Sequence, residues 1–520
     1  MAESVSNGSG THGSNGNGDD SSTRAAMKDF WDGHCTTASL QDVMLDSKAK
    51  SLDESEKPEI LAMLPALKGM RVLELGAGIG RYTGTLAETA QHVTSVDFVE
   101  QFVEKNRQIN GVQHPNITFV SGDAMKLDYE ENSFDIVFSN WLLMYISDAE
   151  LEELTKRMLR WVKVGGHVFF RESCFRQSGD RPRDLSNPTK YRDPKHYHHT
   201  FETAYCESAA SATACGFELD FSRCVRTYLQ MKNNPHQMCW SWSKVIVDKK
   251  TKSNDDFYGF QSMRQFLDQQ QYSVNGILRY EKMFGKNYVS TGGPETTAEF
   301  VPMLKLQEGE QVMDVGSGLG GGALYMAENY GVDVLGLDLS TNMVHIALAR
   351  AVSCSTGSVL YEVSDITKRQ FPDESFDVIY SRDTLLHIPN KAEVFKKFFR
   401  WLKPGGRILI SDYCCGEGEW SDSFKTYVEQ RHYTLHSVKH YGQILRDAGF
   451  AEVVADDRSR QFCDVLLREV KRASAERSEL VKEFSEKDYD DLVTGWKAKV
   501  ERVNAGDQCW GLFFGRKLSA

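Results

Sequence analysis

The 520-residue sequence lacks any apolar run of about 20 residues, the length that a membrane-spanning helix needs. It also lacks a basic excess, because 61 Lys and Arg stand against 73 Asp and Glu, for a formal net charge of −12. Nucleic-acid-binding proteins usually carry a basic surface, since phosphate neutralisation supplies most of their affinity. The first residues show neither the basic start nor the apolar stretch of a secretory signal. We therefore expect no membrane or nucleic-acid partner, and the sequence indicates no obligate protein partner.

The eleven cysteines are scattered, without the spacing of metal ligands or of a small disulfide scaffold. Scattered cysteines are typical of reduced thiols, so we expect a cytoplasmic protein without a metal site. A cluster of His196, His198 and His199 argues against this expectation, because histidines are common metal ligands. A zinc site there is the alternative, although no Cys, His or Asp arrangement elsewhere in the sequence supports it.

Four motifs occur twice in the chain. The pairs are 72–80 with 312–320, Asp97 with Asp338, 133–139 with 375–381, and 160–166 with 400–406. Their spacing stays between 240 and 242 residues. A nearly constant spacing over four motifs indicates a duplication.

The duplication and the local composition together predict the domain boundaries. Residues 1–24 are rich in Ser, Gly and Asn and form a predicted disordered tail. The first repeat spans 25–247 and the second spans 257–520. Between them, 248–256 is polar and without apolar periodicity, which is typical of a linker.

Within each repeat, short apolar runs alternate with longer helical stretches, the βαβ rhythm of a doubly wound parallel sheet. The predicted fold class is therefore α/β, with two Rossmann-like domains in tandem. The predicted strands of the first repeat are 71–75, 92–96, 117–120, 134–139 and 167–171. Such sheets bind ligands at the carboxyl ends of their strands, where the strand order reverses. The repeated motifs fall at these ends.

Glycines follow the first predicted strand of each repeat, as a tight turn against a ligand requires. Gly316, Gly318 and Gly321 satisfy the spacing of a dinucleotide-binding loop, so a nicotinamide enzyme is an alternative. Glu74 and Asp314, two positions before the first glycine, argue against it. A carboxylate there would repel a pyrophosphate. It suits S-adenosylmethionine, which carries an α-amino cation and a sulfonium but no phosphate.

Two further carboxylates follow in each repeat. Asp97 and Asp338 end the second strand, where a carboxylate can accept both hydroxyls of a ribose. Asp123 and Asp365 lie where the third strand should end, in a position to accept from an adenine amino group. A single Asp at the end of a strand can equally well be a solvent-exposed turn residue without a binding role. The ordered set, however, occurs twice.

This ordered set resembles the class I methyltransferases, and the resemblance implies S-adenosylmethionine as cofactor and S-adenosylhomocysteine as product. Asn140 and Arg382, at later strand ends, fit the same resemblance. The predicted cofactor-binding residues are Glu74, Gly76, Gly78, Asp97, Phe98, Asp123, Ala124 and Asn140 in the first repeat, and Ser290, Asp314, Gly316, Gly318, Asp338, Leu339, Asp365, Ile366 and Arg382 in the second.

Longer motifs carry a closer resemblance. In the second repeat they are 271–272, 280–281, 284–290, 380–383, 386–387, 411–414, 427–435 and 495–496, and in the first they are 44–47, 139–145 and 170–175. They resemble the tandem, plant-type phosphoethanolamine N-methyltransferases. The resemblance implies three successive N-methylations of phosphoethanolamine to phosphocholine, the first by the first repeat and the later two by the second. The alternatives are another small acceptor, such as a sterol, quinone or arsenical, and a first repeat that only binds the cofactor.

An amine and a phosphate at opposite ends of the acceptor set the chemistry of the site. The amine has a pKa of about 10, so at neutral pH it is protonated and needs a base, while the phosphate must be held for orientation. The resemblance implies that His387 is the base, that Tyr272 pairs with it and that Asp383 stabilises the ammonium. The implied acceptor-binding residues are Gln271, Tyr280, Tyr413, Tyr427, Arg431, Tyr433 and Lys499.

The first repeat departs from this pattern. Alignment of the repeats puts Tyr145 at the place of His387, so the histidine base has no counterpart there. Tyr145 or His34 is the candidate base of the first repeat. Tyr191 and Tyr197 follow its fifth strand and are the predicted phosphate ligands.

Overall fold

A computed structural model describes the chain at residues 27, 29–31, 33, 39–180, 187–207, 214–247, 262–350 and 356–519. The predicted tail, the predicted linker and His34 lie outside these residues. The predictions made for them therefore stay predictions.

A parallel sheet forms the centre of the first of two compact units. Its strands are β1 Arg71–Leu75, β2 His92–Asp97, β3 Ile117–Ser121, β4 Phe134–Asn140 and β5 Val162–Ser173. The next strand along the chain is β6, Tyr205–Glu207, which is not part of this parallel sheet. The strand order is β3-β2-β1-β4-β5. Leu73 of β1 lies opposite Thr94 of β2 on one side and Val137 of β4 on the other. The strand order thus reverses at β1, as the doubly wound fold predicts.

Helices connect these strands and cover the sheet. They are Leu40–Met44, Ala49–Leu61, Thr83–Thr89, Glu100–Asn110, Asp148–Trp161 and Pro194–Thr203, with 3₁₀ turns at Ala124–Lys126 and Leu143–Tyr145. The helix after β4 begins at a capping box, in which Ser147 Oγ accepts from Glu150 N and the Glu150 carboxylate accepts from Ser147 N. Leu151, Leu154 and Met158 of this helix recur at helical spacing and are buried.

The second unit repeats the same architecture and extends it. Its strands are β7 Ala214–Cys224, β8 Gln237–Val247, β9 Gln311–Val315, β10 Asp333–Asp338, β11 Ser358–Val363, β12 Phe376–Arg382, β13 Leu402–Cys415, β14 Ala451–Asp457 and β15 Gln508–Arg516. The order β11-β10-β9-β12-β13 matches that of the first unit, and β15 and β14 follow antiparallel. The predicted α/β fold with a doubly wound sheet in each repeat is confirmed.

The helices of the second unit include a group before β9 and a group near the carboxyl terminus. They are Arg226–Lys232, Met263–Phe266, Val274–Phe284, Gly293–Phe300, Gly321–Tyr330, Thr341–Arg350, Lys391–Trp401, Asp422–Gln430, Val438–Asp447, Ser459–Ala475, Arg477–Glu483 and Glu486–Asn504, with short turns at Leu267–Gln271, Val301–Leu304 and Leu385–His387. Among the helices in the described ranges, none combines the length and the apolar character needed to cross a bilayer.

The division into units differs from the predicted domain boundary. The first unit holds the described residues up to Cys206 apart from Glu59–Leu61, and the second holds Glu59–Leu61 and everything from Glu207 onward. The hairpin of β7 and β8 therefore lies in the second unit, where β7 pairs antiparallel with β11. Motif repetition defined the predicted boundary, whereas spatial compactness defines the units, so the boundary at 247 stays a prediction about the repeat.

Candidate active sites

The glycine loop of each unit is fastened to the end of the neighbouring strand by a carboxylate. Asp97 accepts from Gly78 N at 2.8 Å and from Val99 N at 2.9 Å. Asp338 accepts from Gly318 N at 2.9 Å in the same way. Burial raises the pKa of both carboxyl groups to about 6. Each loop is thus held open at the strand ends, where a ligand can reach its backbone.

The glycines themselves are required by the loop geometry. Gly76 and Gly316 have φ angles of 70° and 74°, in the left-handed region that favours glycine. A Cβ on Gly316 would lie 2.0 Å from Thr384 Oγ1. The close approach therefore excludes any side chain at this position.

A second carboxylate lies beneath each loop. Glu74 of β1 and Asp314 of β9 are buried, and burial raises the pKa of each to about 7. Glu74 accepts a hydrogen bond from Thr83 Oγ1 at 2.5 Å. A buried carboxylate is costly without a partner, so both positions favour a cationic ligand group.

A first cavity of about 280 Å³ lies at this edge of the first unit. The predicted site residues that line it are Glu74, Gly76, Gly78, Asp97, Phe98, Asn140, Tyr145 and Tyr191. Phe30 and Trp31 also line it and pack against Tyr145, with the Trp31 and Tyr145 ring centroids 5.6 Å apart.

Three predicted residues of the first repeat do not line the first cavity. Asp123 instead caps the turn that begins at Ala124, accepting from Met125 N at 2.9 Å. Tyr197 is fully buried, packs on Phe170 and lies within 3.5 Å of an Arg192 nitrogen. Tyr197 therefore packs in the core in this structure, and its role as a phosphate ligand stays a prediction. The roles of Asp123 and Ala124 stay predictions.

Trp141 occupies in the first unit the place that Asp383 has in the second. Both have positive φ, 60° and 49°, and both backbone amides donate to the strand that follows. The Arg171 guanidinium lies 3.6 Å from the centre of the Trp141 ring and pairs with buried Glu56 at 3.0 Å. Nothing in the sequence indicated this stack, because Glu56 and Arg171 are 115 positions apart.

A second cavity, of about 310 Å³, lies at the same edge of the second unit. It brings together most of the predicted residues of the second repeat. They are Tyr272, Ser290, Asp314, Gly316, Gly318, Asp338, Leu339, Asp365, Ile366, Arg382, Asp383 and His387. Arg382 lies in the wall, but its nitrogens bind the protein, including Ser411 Oγ at 2.6 Å and Thr291 O at 2.8 Å.

A third cavity, of about 370 Å³, shares part of its wall with the second. The predicted acceptor residues all line it: Gln271, Tyr272, Tyr280, Asp383, His387, Tyr413, Tyr427, Arg431, Tyr433 and Lys499. Tyr272, Asp383 and His387 line both cavities. These three residues therefore lie where a group in one cavity can meet a group in the other.

His387 ends the turn Leu385–His387 and is held as a neutral imidazole. Burial, followed by the charges of Lys391 and Arg431, lowers the pKa of His387 to about 3. Its Nδ1 is buried and has no hydrogen-bond partner within the described ranges. The Tyr272 hydroxyl lies 3.1 Å from Gln271 Nε2 and makes no hydrogen bond to His387 in this part of the chain. The predicted pairing of Tyr272 with His387 is therefore not formed here.

Asp383 is fixed by donors from three distant segments. Its carboxylate accepts from Thr291 N at 2.8 Å, from Trp510 Nε1 at 2.8 Å and from Ser411 Oγ at 3.2 Å. Thr291 and Trp510 were not predicted as partners of Asp383, because they lie 92 and 127 positions away from it in the sequence. The three bonds leave the carboxylate in one orientation at the cavity junction.

Lys499 and the aromatic residues around it form the opposite wall of the third cavity. Its Nζ lies 3.4 Å from the Tyr413 hydroxyl and 4.4 Å from the centre of the Trp496 ring. The Trp496 indole donates to Glu469 at 2.7 Å. Burial lowers the pKa of Lys499, and the nearby Glu469 carboxylate opposes that effect. Glu469 and Trp496 were not predicted as site residues.

Two sheets of this strand order, each with its own glycine loop and paired carboxylates, make the chain a tandem of class I S-adenosylmethionine-dependent methyltransferase domains. Family models described as a methyltransferase domain match residues 72–166 and 313–410. Among the residues that the structure describes, no group of three or more His, Cys, Asp or Glu is placed to hold a metal ion.

Comparison with known proteins defines the family more closely. The chain is 50% identical to a phosphoethanolamine N-methyltransferase of Triticum aestivum over 95% of each chain. It is 49% identical to phosphoethanolamine N-methyltransferase 3 of Arabidopsis thaliana, over 95% of this chain and 98% of that one. A solved structure of Haemonchus contortus phosphoethanolamine N-methyltransferase 2, bound to phosphomonomethylethanolamine and S-adenosylhomocysteine, is 25% identical with a TM-score of 0.72, over 90% and 99% of the two chains. The chain belongs to the phosphoethanolamine N-methyltransferase family.

Proposed function

We propose that this protein makes phosphocholine from phosphoethanolamine by three successive methyl transfers from S-adenosylmethionine to the acceptor nitrogen. The observation that carries the proposal is the junction of the second and third cavities. His387 and Asp383 face both the cavity with the glycine loop and the cavity lined by cations and tyrosines. The names of the wheat and Arabidopsis relatives support the same acceptor.

The residues at the junction fit the proton chemistry of an N-methylation. S-adenosylmethionine supplies a methyl group on a sulfonium, which an amine lone pair displaces in line. The acceptor amine, with a pKa of about 10, is protonated at neutral pH and must first lose a proton. The Nδ1 of His387, unpartnered among the described residues, is placed to accept that proton once the phosphate of the acceptor offsets the Lys391 and Arg431 charges that help to lower its pKa. Asp383, held by its three donors, positions the ammonium beside it.

The phosphate end of the acceptor fits the third cavity. A two-carbon acceptor has little apolar surface, so the phosphate must supply most of the binding energy and fix the amine against the base. Arg431 offers forked, charge-assisted donors, and Lys499 adds a point charge beside Tyr413. The negative charge of the acceptor's phosphate is thus complementary to the positive charges of Arg431 and Lys499 in this wall.

We propose that the first repeat performs the first methylation and the second repeat performs the later two. The first cavity supports this because it keeps Glu74, Asp97 and the glycine loop. One observation favours the alternative, a first repeat that only binds the cofactor. Burial, then the neighbouring Tyr191 and Glu172, raises the pKa of Tyr145 well above its ordinary value. A phenol that keeps its proton cannot serve as a base.

Replacement of His387 tests both the activity and the division of labour. His387→Ala should still convert phosphoethanolamine to its monomethyl form, but the later methylations should fall by roughly 10²-fold or more, because a positioned base is lost. Products would be separated by chromatography after incubation with labelled cofactor. As a control, His440→Ala changes an exposed histidine of the same unit and should form phosphocholine normally. Phosphocholine formation by His387→Ala at the wild-type rate would disprove the assignment.

We also propose a cytoplasmic location. Every cysteine for which the structure describes a bonding state is a free thiol, as reducing compartments favour. Imaging of a fluorescently tagged chain would check this.

A further inference from the structure

Arg502 lies in the wall of the third cavity and has no role in the site as described so far. It comes from the last turn of the helix Glu486–Asn504. Its guanidinium lines the same cavity as Arg431 and Lys499. Arg502 was not predicted as a site residue, because it is one of many charged residues along that helix.

The geometry of Arg502 leaves part of its donor set for a ligand. Its guanidinium carbon lies 3.8 Å from the centre of the Tyr427 ring, so the ring restricts the position of the guanidinium. Its Nε donates to Gln508 Oε1 at 3.0 Å. The two terminal nitrogens have no hydrogen-bond partner within the described part of the chain. An arginine held by Nε and a ring presents its terminal N–H groups with little entropy left to lose.

The charges around the third cavity are unequal. Arg279 pairs with Asp488, and Lys499 faces Glu469. Arg431 and Arg502, in contrast, form no ion pair with any carboxylate among the described residues. Both arginines act on Lys499 in the same direction, lowering its pKa beyond the effect of burial. Two unbalanced guanidinium groups beside a lysine repel each other, and a dianion between them would remove that cost.

We propose that Arg502 is an acceptor-binding residue that holds the phosphate of the acceptor together with Arg431. This inference rests on the proposed function of the second repeat and adds a determinant of specificity. A phosphate monoester is close to doubly charged at neutral pH, whereas a diester carries one charge and lacks one free oxygen. Two guanidinium groups therefore select the monoester, and Arg502 contributes to the rejection of diesters and of the unphosphorylated amine.

The test compares Arg502→Met with a matched control in the intact protein. Lys497→Met removes one positive charge from the same helix, at an exposed residue that does not line the cavity. With phosphomonomethylethanolamine as acceptor, Arg502→Met should raise KM by roughly tenfold or more, because charge-assisted hydrogen bonds are lost. The inhibition constant of inorganic phosphate, used as a competitive inhibitor, should rise by a similar factor. Arg502→Lys should recover part of the acceptor KM and part of the inhibition by phosphate. Lys497→Met should behave as the wild type in both measurements.

The outcomes separate this inference from the proposed function. Wild type that fails to methylate the phosphorylated acceptor would overturn the function itself. An active wild type with unchanged KM and phosphate inhibition in Arg502→Met would overturn the role of Arg502 alone. A purely packing role would lower thermal stability and kcat but leave phosphate inhibition unchanged, and would also overturn it. Should Arg502→Met fail to fold, Arg502→Gln, which keeps a hydrogen-bonding side chain, carries the same comparison.

Discussion

His387 and Tyr145 occupy equivalent places, each as the last residue of a short 3₁₀ turn after the fourth strand of its sheet. At the cavity wall Tyr145 is buried and His387 is half-buried with a buried Nδ1, and this desolvation favours the neutral form of each. The consequence differs with the chemistry of the side chain. A neutral imidazole can accept a proton, whereas a neutral phenol can only donate one. With His387 as the proposed base, this single difference leaves the first repeat without the same base.

The buried state of His387 should appear in the pH dependence of stability. Its pKa is lowered from 6.5 to about 3, so the unfolded chain takes up a proton below pH 6.5 that the folded chain refuses. Stability is unaffected above that pH and falls as the pH drops toward 3. Between pH 6.5 and pH 5 the free energy of unfolding falls by about 2 kcal/mol, since each pH unit between the two pKa values is worth about 1.4 kcal/mol. His387→Gln should remove this part of the loss.

Chemical denaturation of the wild type and of His387→Gln at pH 7 and pH 5 would measure the loss of unfolding free energy that His387 causes. His440→Gln, at an exposed histidine, is the matched control and should keep the wild-type dependence. If both variants and the wild type lose the same free energy between the two pH values, the neutral buried state of His387 is wrong.

Individual site residues differed in how far the sequence could predict them. Asp383 and Arg431 lie in motifs that resemble a family, so their place in the cavities followed from the resemblance. Trp510 and Arg502 could not be predicted, because their proximity to the site depends on how distant segments fold together. Tyr197 shows the reverse case, a predicted residue that does not line the first cavity. Its position after β5 suits a ligand, but its helix turns that side chain into the core.

At the scale of elements, a buried cation fastens the 3₁₀ turn after the fourth strand of each sheet, and this cation comes from a different part of the chain in each repeat. In the second repeat Lys391 Nζ donates to Ile388 O at 3.0 Å and to Thr434 O at 2.5 Å. In the first repeat Arg192 donates to Leu143 O at 2.7 Å and also to Ile146 O. Both cations tie the turn to the segment that follows the fifth strand. The position of the turn thus depends on charge-assisted bonds to backbone carbonyls.

Lys391→Met should loosen the turn that carries His387. Methionine keeps the apolar stem but leaves one buried and one half-buried carbonyl without this donor, which costs up to about 1–3 kcal/mol for each group. We expect lower thermal stability of the protein and at least a tenfold lower kcat for the methylation of phosphomonomethylethanolamine, with little change in cofactor affinity.

Lys396→Met provides the matched control on the same helix. Lys396 pairs with Glu393 at 3.0 Å, and both side chains are exposed, so little should change. An unaltered kcat in Lys391→Met would show that the turn does not depend on this cation.

The elements themselves were largely predictable from sequence periodicity. The predicted strands of the first repeat match β1 to β4 to within about one residue, and β5 is longer than predicted at both ends. The membership of the β7 and β8 hairpin was not predictable, since a hairpin is specified locally while its neighbours are set by the folded sheets. The clamp by Lys391 or Arg192 was equally hidden, because any buried cation of sufficient reach can satisfy the same carbonyls.

At the scale of the whole molecule, the chain carries two complete glycine loops with their carboxylates, so it should bind two molecules of cofactor. The constant spacing of the motifs predicted this duplication, and the matches at 72–166 and 313–410 confirm two methyltransferase domains. Sequence alone could not give the size of the cavities, which depends on side chains such as Trp31 and Tyr145 that meet only in the fold.

Titration calorimetry with S-adenosylhomocysteine should therefore find two sites per chain. Asp97→Ala and Asp338→Ala should each remove one site, because each carboxylate fastens a glycine loop and is positioned to accept from a ribose. Asp128→Ala and Asp422→Ala, at exposed residues of the first and second units, should retain both sites. A single site in the wild type would contradict a mechanism that uses both repeats.

The left-handed residue after the fourth strand, Trp141 in one repeat and Asp383 in the other, has an evolutionary consequence. Both repeats keep the same backbone bend there, although the two side chains share neither charge nor shape. After a gene duplication, selection can therefore change what a domain accepts by altering side chains on one bend and the turn behind it. The loop that holds the cofactor lies on other strands and can be preserved meanwhile. A duplicated enzyme of this design can divide a reaction series between its halves without inventing a second fold.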